Sequence, residues 1–340
     1  MTAKPATHRA IDVHTHVVPG RFPAYTGRTA RDLWPSMADA PNCHRHVMLK
    51  GSIYRTVPHS CWDCAARAAD MPAMQVGRQV LSPMPELLSY WLPADDGQAM
   101  CRFLNETIAE FTASDPTRFT GLGAVPLQDV DAAIAELHHA IDALHLAGVE
   151  IGTNINGTVI GDASFEPFFA AAEALGAAVF VHPLRPSGLD RVVGPAMLEQ
   201  VLAFPGETGL AAASLITGGT LARHPRLRIA FSHGGGSLQA LLPRLQHGWH
   251  AFSKLREAVA QEPAAAARTM FYDSLVYDAA ALKRVVDVFG DTQVMVGSDY
   301  PFAILDKDPT AGIRALDCDD AARERLLWRN ASRWLGKADE

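Results

Sequence analysis

The chain has 340 residues and a mass of 36.6 kDa, long enough to bury a large core without covalent staples. Its 30 basic and 37 acidic residues give a net charge of −7, which argues against a nucleic-acid or anionic-membrane partner. Hydrophobic residues make up 48% of the chain and charged residues 20%, a balance that excludes a disordered protein.

The N-terminal sequence MTAKPATHRAIDVHTH has no apolar stretch of the kind found in secretory signals. No run approaches the roughly eighteen or more apolar residues that a membrane span needs. Five cysteines are few for this length and are typical of reduced thiols. Together these features predict a cytoplasmic protein.

Eight short apolar runs alternate with longer segments of helical composition. The predicted strands are, in chain order, 10–14, 78–82, 120–125, 149–153, 178–182, 228–233, 270–274 and 294–299. The predicted helices are 62–74, 98–113, 130–146, 165–175, 197–222, 238–260, 279–289 and 321–335. Eight strand–helix units predict an α/β fold in which a parallel sheet closes into a (β/α)8 barrel, as one domain over residues 1–340.

One segment breaks this alternation. Residues 19–60 are rich in Pro, Gly, Arg and His and show neither a helical nor a strand period over any length. A connection this long in a compact domain is usually a lid or a binding loop. We therefore expect residues 19–60 to form a lid or insertion loop over the barrel mouth.

Metal-ligating residue types stand at the ends of four predicted strands. His14 and His16 lie two apart on the first strand, so their side chains point the same way and can chelate one ion. His182 ends the fifth strand, His233 the sixth and Asp299 the eighth. Because the carboxyl ends of barrel strands open onto one face, these side chains are expected to meet there. The alternative is that His182 and His233 only form hydrogen bonds to nearby backbone.

These motifs, in this order, resemble the amidohydrolase superfamily, and more closely its 2-amino-3-carboxymuconate-6-semialdehyde decarboxylase-like branch. The resemblance covers nearly the whole chain and rests on IDVHTHVVP (11–19), MLKGSIYRTV (48–57), AVPLQD (124–129), VHP (181–183), SLITGG (214–219), FSHGGGSL (231–238) and VGSDYPF (296–302). It implies a metal site formed by His14, His16, His182 and Asp299. It also implies that His233 is a catalytic histidine that does not bind the metal.

The resemblance implies a metal-dependent, non-oxidative decarboxylase that acts on a small aromatic, heteroaromatic or unsaturated carboxylic acid in a catabolic pathway. Zn²⁺ is the expected cofactor, with Mn²⁺ or Co²⁺ as alternatives and no organic cofactor. His233 and Asp299 are both candidates for carrying the proton to the product, and the sequence does not separate them. Arg55 aligns with an arginine that fixes a substrate carboxylate in the resembled enzymes. A homodimer is also implied, with contact through the helices after the sixth and seventh strands.

Two positions depart from the resembled decarboxylases. Phe252 stands where they use an arginine from the partner subunit, and Leu184 stands where they carry a tryptophan. Both changes favour a smaller or more aromatic mono-acid over the semialdehyde. The candidates for a replacement cation are Arg185, Arg191, His250, Lys254 and Arg256.

Three alternatives remain open at the level of sequence. A hydrolase or hydratase of the same superfamily would use its metal to activate water against a lactone, amide or alkene. A non-catalytic metal-binding barrel would have a filled coordination sphere. Separately, a structural zinc site is conceivable from Cys43, His44, His46, Cys61 and Cys64.

Overall fold

A computed structural model describes residues 9–337. The strands are, in chain order, β1 (Ile11–Val17), β2 (Ser36–Asp39), β3 (Arg45–Leu49), β4 (Ser52–Val57), β5 (Arg78–Pro83), β6 (Phe119–Ala124), β7 (Gly148–Gly152), β8 (Asn154–Ile155), β9 (Thr158–Val159), β10 (Ala178–His182), β11 (Arg228–Phe231), β12 (Phe271–Asp273) and β13 (Val294–Met295). The expected lack of an N-terminal signal falls partly on residues 1–8, which lie outside the described residues.

The α-helices surround the barrel, and the last ones close the end where the strands begin. They are α1 (Cys64–Asp70), α2 (Ala94–Ser114), α3 (Val130–His138), α4 (Glu166–Leu175), α5 (Phe204–Thr217), α6 (Thr220–Arg223), α7 (Leu238–Ala251), α8 (Ser253–Ala258), α9 (Pro263–Ala267), α10 (Ala279–Phe289), α11 (Ala311–Ala315), α12 (Asp320–Glu324) and α13 (Asn330–Trp334). Within residues 9–337, none of the helices has both the length and the apolar character needed to cross a bilayer. The cytoplasmic location stays a prediction.

Eight strands form one parallel sheet in the order β1-β5-β6-β7-β10-β11-β12-β13. The first and last strands meet through backbone hydrogen bonds from Val13 to Val296 (2.8 Å) and from His16 to Tyr300 (2.7 Å), which close the sheet. All eight predicted strands are present, and the prediction of a TIM-like barrel is confirmed. Each strand is buried by neighbours on both faces, which explains the short continuous apolar runs.

The insertion after β1 contains a small antiparallel sheet of β2, β3 and β4. A two-residue turn joins β3 to β4, with Lys50 at φ 52° and Gly51 at φ 72°, the combination that a type I′ hairpin requires. Only Val47 and Val57 of this sheet are fully buried. The insertion itself is confirmed, but its strands were not predicted because so few of their residues alternate between core and solvent. Its role as a lid stays a prediction.

The C-terminal helices close the end of the barrel where the strands begin. Trp334 is fully buried, its ring lies 6.0 Å from that of Phe180, and its indole donates to the carbonyl of Arg228, the first residue of β11. These apolar side chains form the floor of the barrel, opposite the ends of the strands. The floor therefore packs against the beginnings of the strands and contributes no residue to the open end of the barrel.

Replacing Trp334 by Ala is expected to lower the free energy of unfolding by about 3–5 kcal/mol, because it leaves a large cavity in this floor. Ile53→Ala, at a side chain that is 56% exposed, is the control and is expected to cost less than about 0.5 kcal/mol. Urea unfolding followed by fluorescence and circular dichroism measures both values. Equal losses in the two variants would show that the floor does not hold the barrel together.

Candidate metal centre and active-site cavity

Four candidate ligands converge at the open end of the barrel. His14 and His16 lie on β1, His182 is the last residue of β10, and Asp299 follows β13. One donor atom from each of the four lies within 4.8 Å of the others, and all four residues are buried. The strand ends thus bring together groups that are separated by up to 285 positions in the chain (299 − 14).

The three imidazoles are each fixed by a hydrogen bond from the outer ring nitrogen. Nδ1 of His14 contacts Asp273 Oδ2 at 2.6 Å, Nδ1 of His16 contacts the Pro83 carbonyl at 3.1 Å, and Nδ1 of His182 contacts the Pro183 carbonyl at 2.9 Å. With Nδ1–H donating outward, the lone pair of each ring lies on Nε2. The ring nitrogens left to bind a cation are therefore the Nε2 atoms.

The donor set fits a divalent metal ion. The Nε2 atoms of His14 and His16 are buried, and neither makes a well-oriented hydrogen bond within residues 9–337. They lie 3.7 and 3.2 Å from Oδ1 of Asp299. Three imidazole nitrogens and one carboxylate oxygen are ligands that Zn²⁺ and similar ions take. Buried polar atoms without partners are costly, and a cation bound between these two nitrogens would satisfy both.

In the metal-free protein at neutral pH, Asp299 is ionised and His14 is protonated. Although burial opposes the charge on Asp299, the imidazole of His16, 3.2 Å away, and the nearby His14 and His233 rings lower the pKa of its carboxyl to about 2. Burial also opposes the charge on His14, but the hydrogen bond to Asp273 and the neighbouring carboxylates raise its pKa to about 9. A metal ion must therefore displace a proton from His14, so metal affinity rises with pH.

His233 lies beside the ligands and outside their donor set. Its ring centre is 5.3 Å from those of His14 and His182, and its Nδ1 lies 3.1 Å from Oγ of Ser232. The residue has a φ of 56°, a left-handed conformation that is uncommon for non-glycine residues. Burial, together with the charge on His14, lowers the pKa of His233 to about 4, so its ring is neutral at pH 7.

A cavity of about 490 Å³ opens above these groups. His182, His233 and Asp299 line its inner end, and Arg55, on β4 of the inserted sheet, lines its wall. The Arg55 guanidinium carbon lies 4.3 Å from the centre of the Phe302 ring, and the guanidinium makes no hydrogen bond or ion pair within the described chain. Arg55 is therefore available to bind an anion in the cavity.

Arg185, a candidate replacement cation, is already engaged. Its guanidinium lies 3.3 Å from the centre of the Trp91 ring and 3.8 Å from the carboxylate of Glu86. Glu86 lines the cavity and accepts a hydrogen bond of 2.9 Å from the hydroxyl of Tyr54. Burial raises the pKa of Glu86.

The other candidate cations lie away from the cavity. Phe252 is 65% exposed. The exposed side chains of four candidate cations do not line the cavity: Arg191, His250, Lys254 and Arg256. Leu184 is buried and does not line the cavity. Within residues 9–337, Arg55 is thus the only arginine or lysine that lines the cavity.

Two residues of the site were not predicted from the sequence. Asp273 ends β12 and bonds to His14, and its position at the end of the seventh predicted strand was a usable signal. Arg67 of α1 is fully buried and donates to the His16 carbonyl and to Oγ1 of Thr15. An arginine on a short helix gives no sequence signal for such a role, because it usually faces solvent.

The conceivable structural zinc site is not assembled. Cys43 is exposed and Cys61 is buried, while Sγ of Cys64 accepts a hydrogen bond of 3.0 Å from Ser114. Among the residues that the structure describes, the only group of three or more metal-type ligands is the one at the open end of the barrel.

Comparison with known proteins identifies relatives along most of the chain. The sequence profile of a family described as Amidohydrolase matches residues 11–337. A 2-amino-3-carboxymuconate-6-semialdehyde decarboxylase from Dictyostelium discoideum is 36% identical over 328 residues, which cover 96% of this chain and 91% of that protein.

Solved structures give the same result. A 5-carboxyvanillate decarboxylase from Sphingomonas paucimobilis has a TM-score of 0.79 and 25% identity, and the match covers 97% of this chain and 100% of that one. The enzyme of the same name from Novosphingobium aromaticivorans, complexed with manganese and 4-hydroxy-3-methoxy-5-nitrobenzoic acid, has a TM-score of 0.70 and 26% identity. That match covers 80% of this chain and 79% of the other.

His14→Ala is expected to weaken metal binding by more than about 100-fold, because a lost ligand costs more than a lost outer hydrogen bond. His138→Ala is the matched control, since His138 is an exposed histidine on α3 and should leave affinity unchanged. Equilibrium dialysis followed by elemental analysis gives the metal content. One tightly held equivalent of metal in His14→Ala would contradict the assignment.

As the pH falls from about 7 to about 5, the free energy of unfolding of the metal-free wild-type protein is expected to decrease more than that of a metal-free His233→Asn variant. The pKa of His233 is about 4 in the folded protein and about 6.5 when unfolded, so the unfolded chain binds more protons in this interval. Acid therefore favours unfolding, by about 1–2 kcal/mol. Urea unfolding in the presence of a chelator at the two pH values measures the free energy of unfolding of each protein. An equal change with pH in wild type and in His233→Asn would contradict the prediction.

Proposed function

Because this chain belongs to the amidohydrolase family and is a metal-dependent decarboxylase of that family, we propose that it releases CO₂ from a small aromatic or heteroaromatic monocarboxylic acid. The observation that supports the substrate class most directly is the cavity above the four ligands, in which Arg55 is the one unpaired cation among the described residues. A guanidinium is a planar fork that matches one carboxylate.

The cavity walls favour a flat, apolar ring. Phe204 and Phe302 supply aromatic surface, and Met84 and Leu275 supply aliphatic surface. The carboxylate of Glu86 lies in the same wall and would repel a second carboxylate on the substrate. A mono-acid therefore suits the cavity better than a di-acid.

The chain's own residues divide the work. A bound divalent ion, held by His14, His16, His182 and Asp299, would supply positive charge that stabilises the negative charge developing as the carbon–carbon bond breaks. Arg55 orients the acid, and the apolar walls exclude water from it. The carbon that loses CO₂ must then receive a proton.

We propose His233 as the carrier of this proton. Its ring lines the cavity, and within the described residues Ser232 forms a hydrogen bond with Nδ1 and none forms one with Nε2, so Nε2 remains available for transfer. Asp299 is the alternative carrier, but its Oδ1 lies among the Nε2 atoms of His14 and His16, where it serves as a ligand. A neutral imidazole can take a proton from solvent or substrate and return it to carbon.

We propose Zn²⁺ as the metal, since three imidazoles and one carboxylate suit this ion. Manganese, present in the complex of the Novosphingobium relative, is the competing choice. Reconstituting metal-free protein with Zn²⁺, Mn²⁺ or Co²⁺ and measuring affinity and turnover for each ion decides between them. Highest affinity and turnover with Mn²⁺ would reject zinc.

We also propose a homodimer. Leu241 and Phe252, at α7 and its end, are 49% and 65% exposed, and Leu210 on the neighbouring α5 is 49% exposed. Exposed apolar side chains grouped on adjacent helices favour association between subunits. Sedimentation equilibrium measures the mass, and a species of about 37 kDa at all concentrations would reject the dimer.

The decisive experiment measures CO₂ release from a panel of aromatic mono-acids, di-acids and lactones. We expect CO₂ from a mono-acid and, in Arg55→Ala, a KM raised about 10–100-fold, since a hydrogen bond to a charged group contributes about 1.5–3 kcal/mol. Arg28→Ala is the control, because Arg28 is an exposed arginine of the same insertion. Lactone hydrolysis without CO₂ release would favour a hydrolase, and an unchanged KM would return Arg55 to a surface role.

A further inference from the structure

A single buried carboxylate joins the metal ligands to the loop that carries His233. Asp273 ends β12, which lies between β11, the strand before His233, and β13, the strand before Asp299. Its side chain is fully buried. Its position in the sheet thus places it between the two groups that the proposed reaction needs together.

Each oxygen of this carboxylate has a separate task. Oδ2 lies 2.6 Å from Nδ1 of His14. Oδ1 accepts hydrogen bonds from the backbone nitrogens of Gly234, at 2.7 Å, and Leu275, at 3.1 Å. Gly234 directly follows His233, so Oδ1 holds the backbone on which the His233 ring is mounted.

Two glycines accommodate Asp273 and the loop that it contacts. A Cβ atom on Gly297, two residues after β13, would lie 2.7 Å from the Cβ of Asp273, so a glycine is needed there. Gly234 has a φ of 60°, and a Cβ there would lie 2.6 Å from Cγ1 of Val276. Gly297 therefore leaves space for the Asp273 side chain, and Gly234 allows the conformation of the loop that Oδ1 holds.

His14 differs from the other two imidazoles in what its outer nitrogen contacts. His16 and His182 contact backbone carbonyls, which are neutral acceptors, whereas His14 contacts a carboxylate. A carboxylate fixes the tautomer and raises the basicity of a ligand imidazole more strongly than a carbonyl does.

We propose that Asp273 is a positioning residue that aligns both the metal ligand His14 and the loop bearing His233, one with each oxygen. The inference rests on the proposed function, because it takes His14 as a ligand and His233 as the proton carrier. We call the contact of Oδ2 with His14 the metal arm and the contacts of Oδ1 with the backbone of the His233 loop the loop arm. The proposal predicts that a substitution can remove one arm and keep the other.

Asp273→Asn is the variant that separates the arms. An amide has one acceptor oxygen, which can remain on the two backbone N–H groups, while its NH₂ group must face Nδ1 of His14. The NH₂ group then favours the tautomer with hydrogen on Nε2, the nitrogen that faces the metal. We expect the dissociation constants for Zn²⁺ and Mn²⁺ to rise about 10–100-fold, measured by competition with a chromophoric chelator.

The loop arm is read from hydrogen exchange in metal-free protein. The Gly234 amide is expected to be protected in wild type and in Asp273→Asn, which keeps an acceptor oxygen, and to exchange at least about 10-fold faster in Asp273→Ala, which has none. Exchange of the peptide spanning residues 232–240, resolved by mass spectrometry, gives this rate. Asp319→Asn, at the exposed cap of α12, is the matched control and should match wild type in both assays.

Wild-type metal affinity in Asp273→Asn would overturn the metal arm, even if Asp273→Ala fails to fold. Equal protection of Gly234 in wild type and in folded Asp273→Ala, or lost protection in Asp273→Asn, would overturn the loop arm. Neither assay uses turnover. A wild-type protein that released no CO₂ would reject the proposed function and leave both of these results standing.

Discussion

The structure depends on the closure of one parallel sheet. Because every strand of the barrel runs in the same direction, each strand ends at the same face, and residues far apart in the chain become neighbours. The hydrogen bond from the backbone nitrogen of His16 to the carbonyl of Tyr300 closes the sheet beside the ligands His16 and Asp299. The same hydrogen bond therefore closes the barrel and positions the metal site. A shift in register between the first and last strands would therefore disperse the ligands as well as open the barrel.

The barrel strands and the residues at their ends could be predicted from the sequence, because each is indicated by a local pattern of residues. The eight strands are short apolar runs, and His14, His16, His182, His233 and Asp299 each stand at or just after such a run. The inserted sheet escaped prediction, since only Val47 and Val57 among its residues are fully buried. Contacts between side chains distant in the sequence were not predicted either. No local pattern indicates that Arg185 lies beside Glu86, or that buried Arg67 donates a hydrogen bond to β1.

The site combines rigid and adaptable parts. The ligands lie on strands or directly after them, where burial and hydrogen bonds to fixed acceptors hold the rings. The cavity wall above them comes from loops, from the first residues of helices such as α5 and α7, and from the inserted sheet, most of whose residues are exposed or partly exposed. The metal ligands thus have a fixed geometry, while most of the inserted sheet lies outside the packed barrel and can vary without disturbing it.

Arg55 lies on β4 between the turn at Lys50 and Gly51 and the buried end of the strand at Val57. Arg55 pairs with Val47, whereas Ile53 pairs with Met48, so the pairing is irregular between the turn and Arg55. Each residue of a strand adds about 3.3 Å, and two residues return a side chain to the same face, so one additional residue pair between Arg55 and Val57 would move the guanidinium by roughly 7 Å. Insertions and deletions of residue pairs at this end of the hairpin would thus change the distance between the Arg55 guanidinium and the metal site in discrete steps.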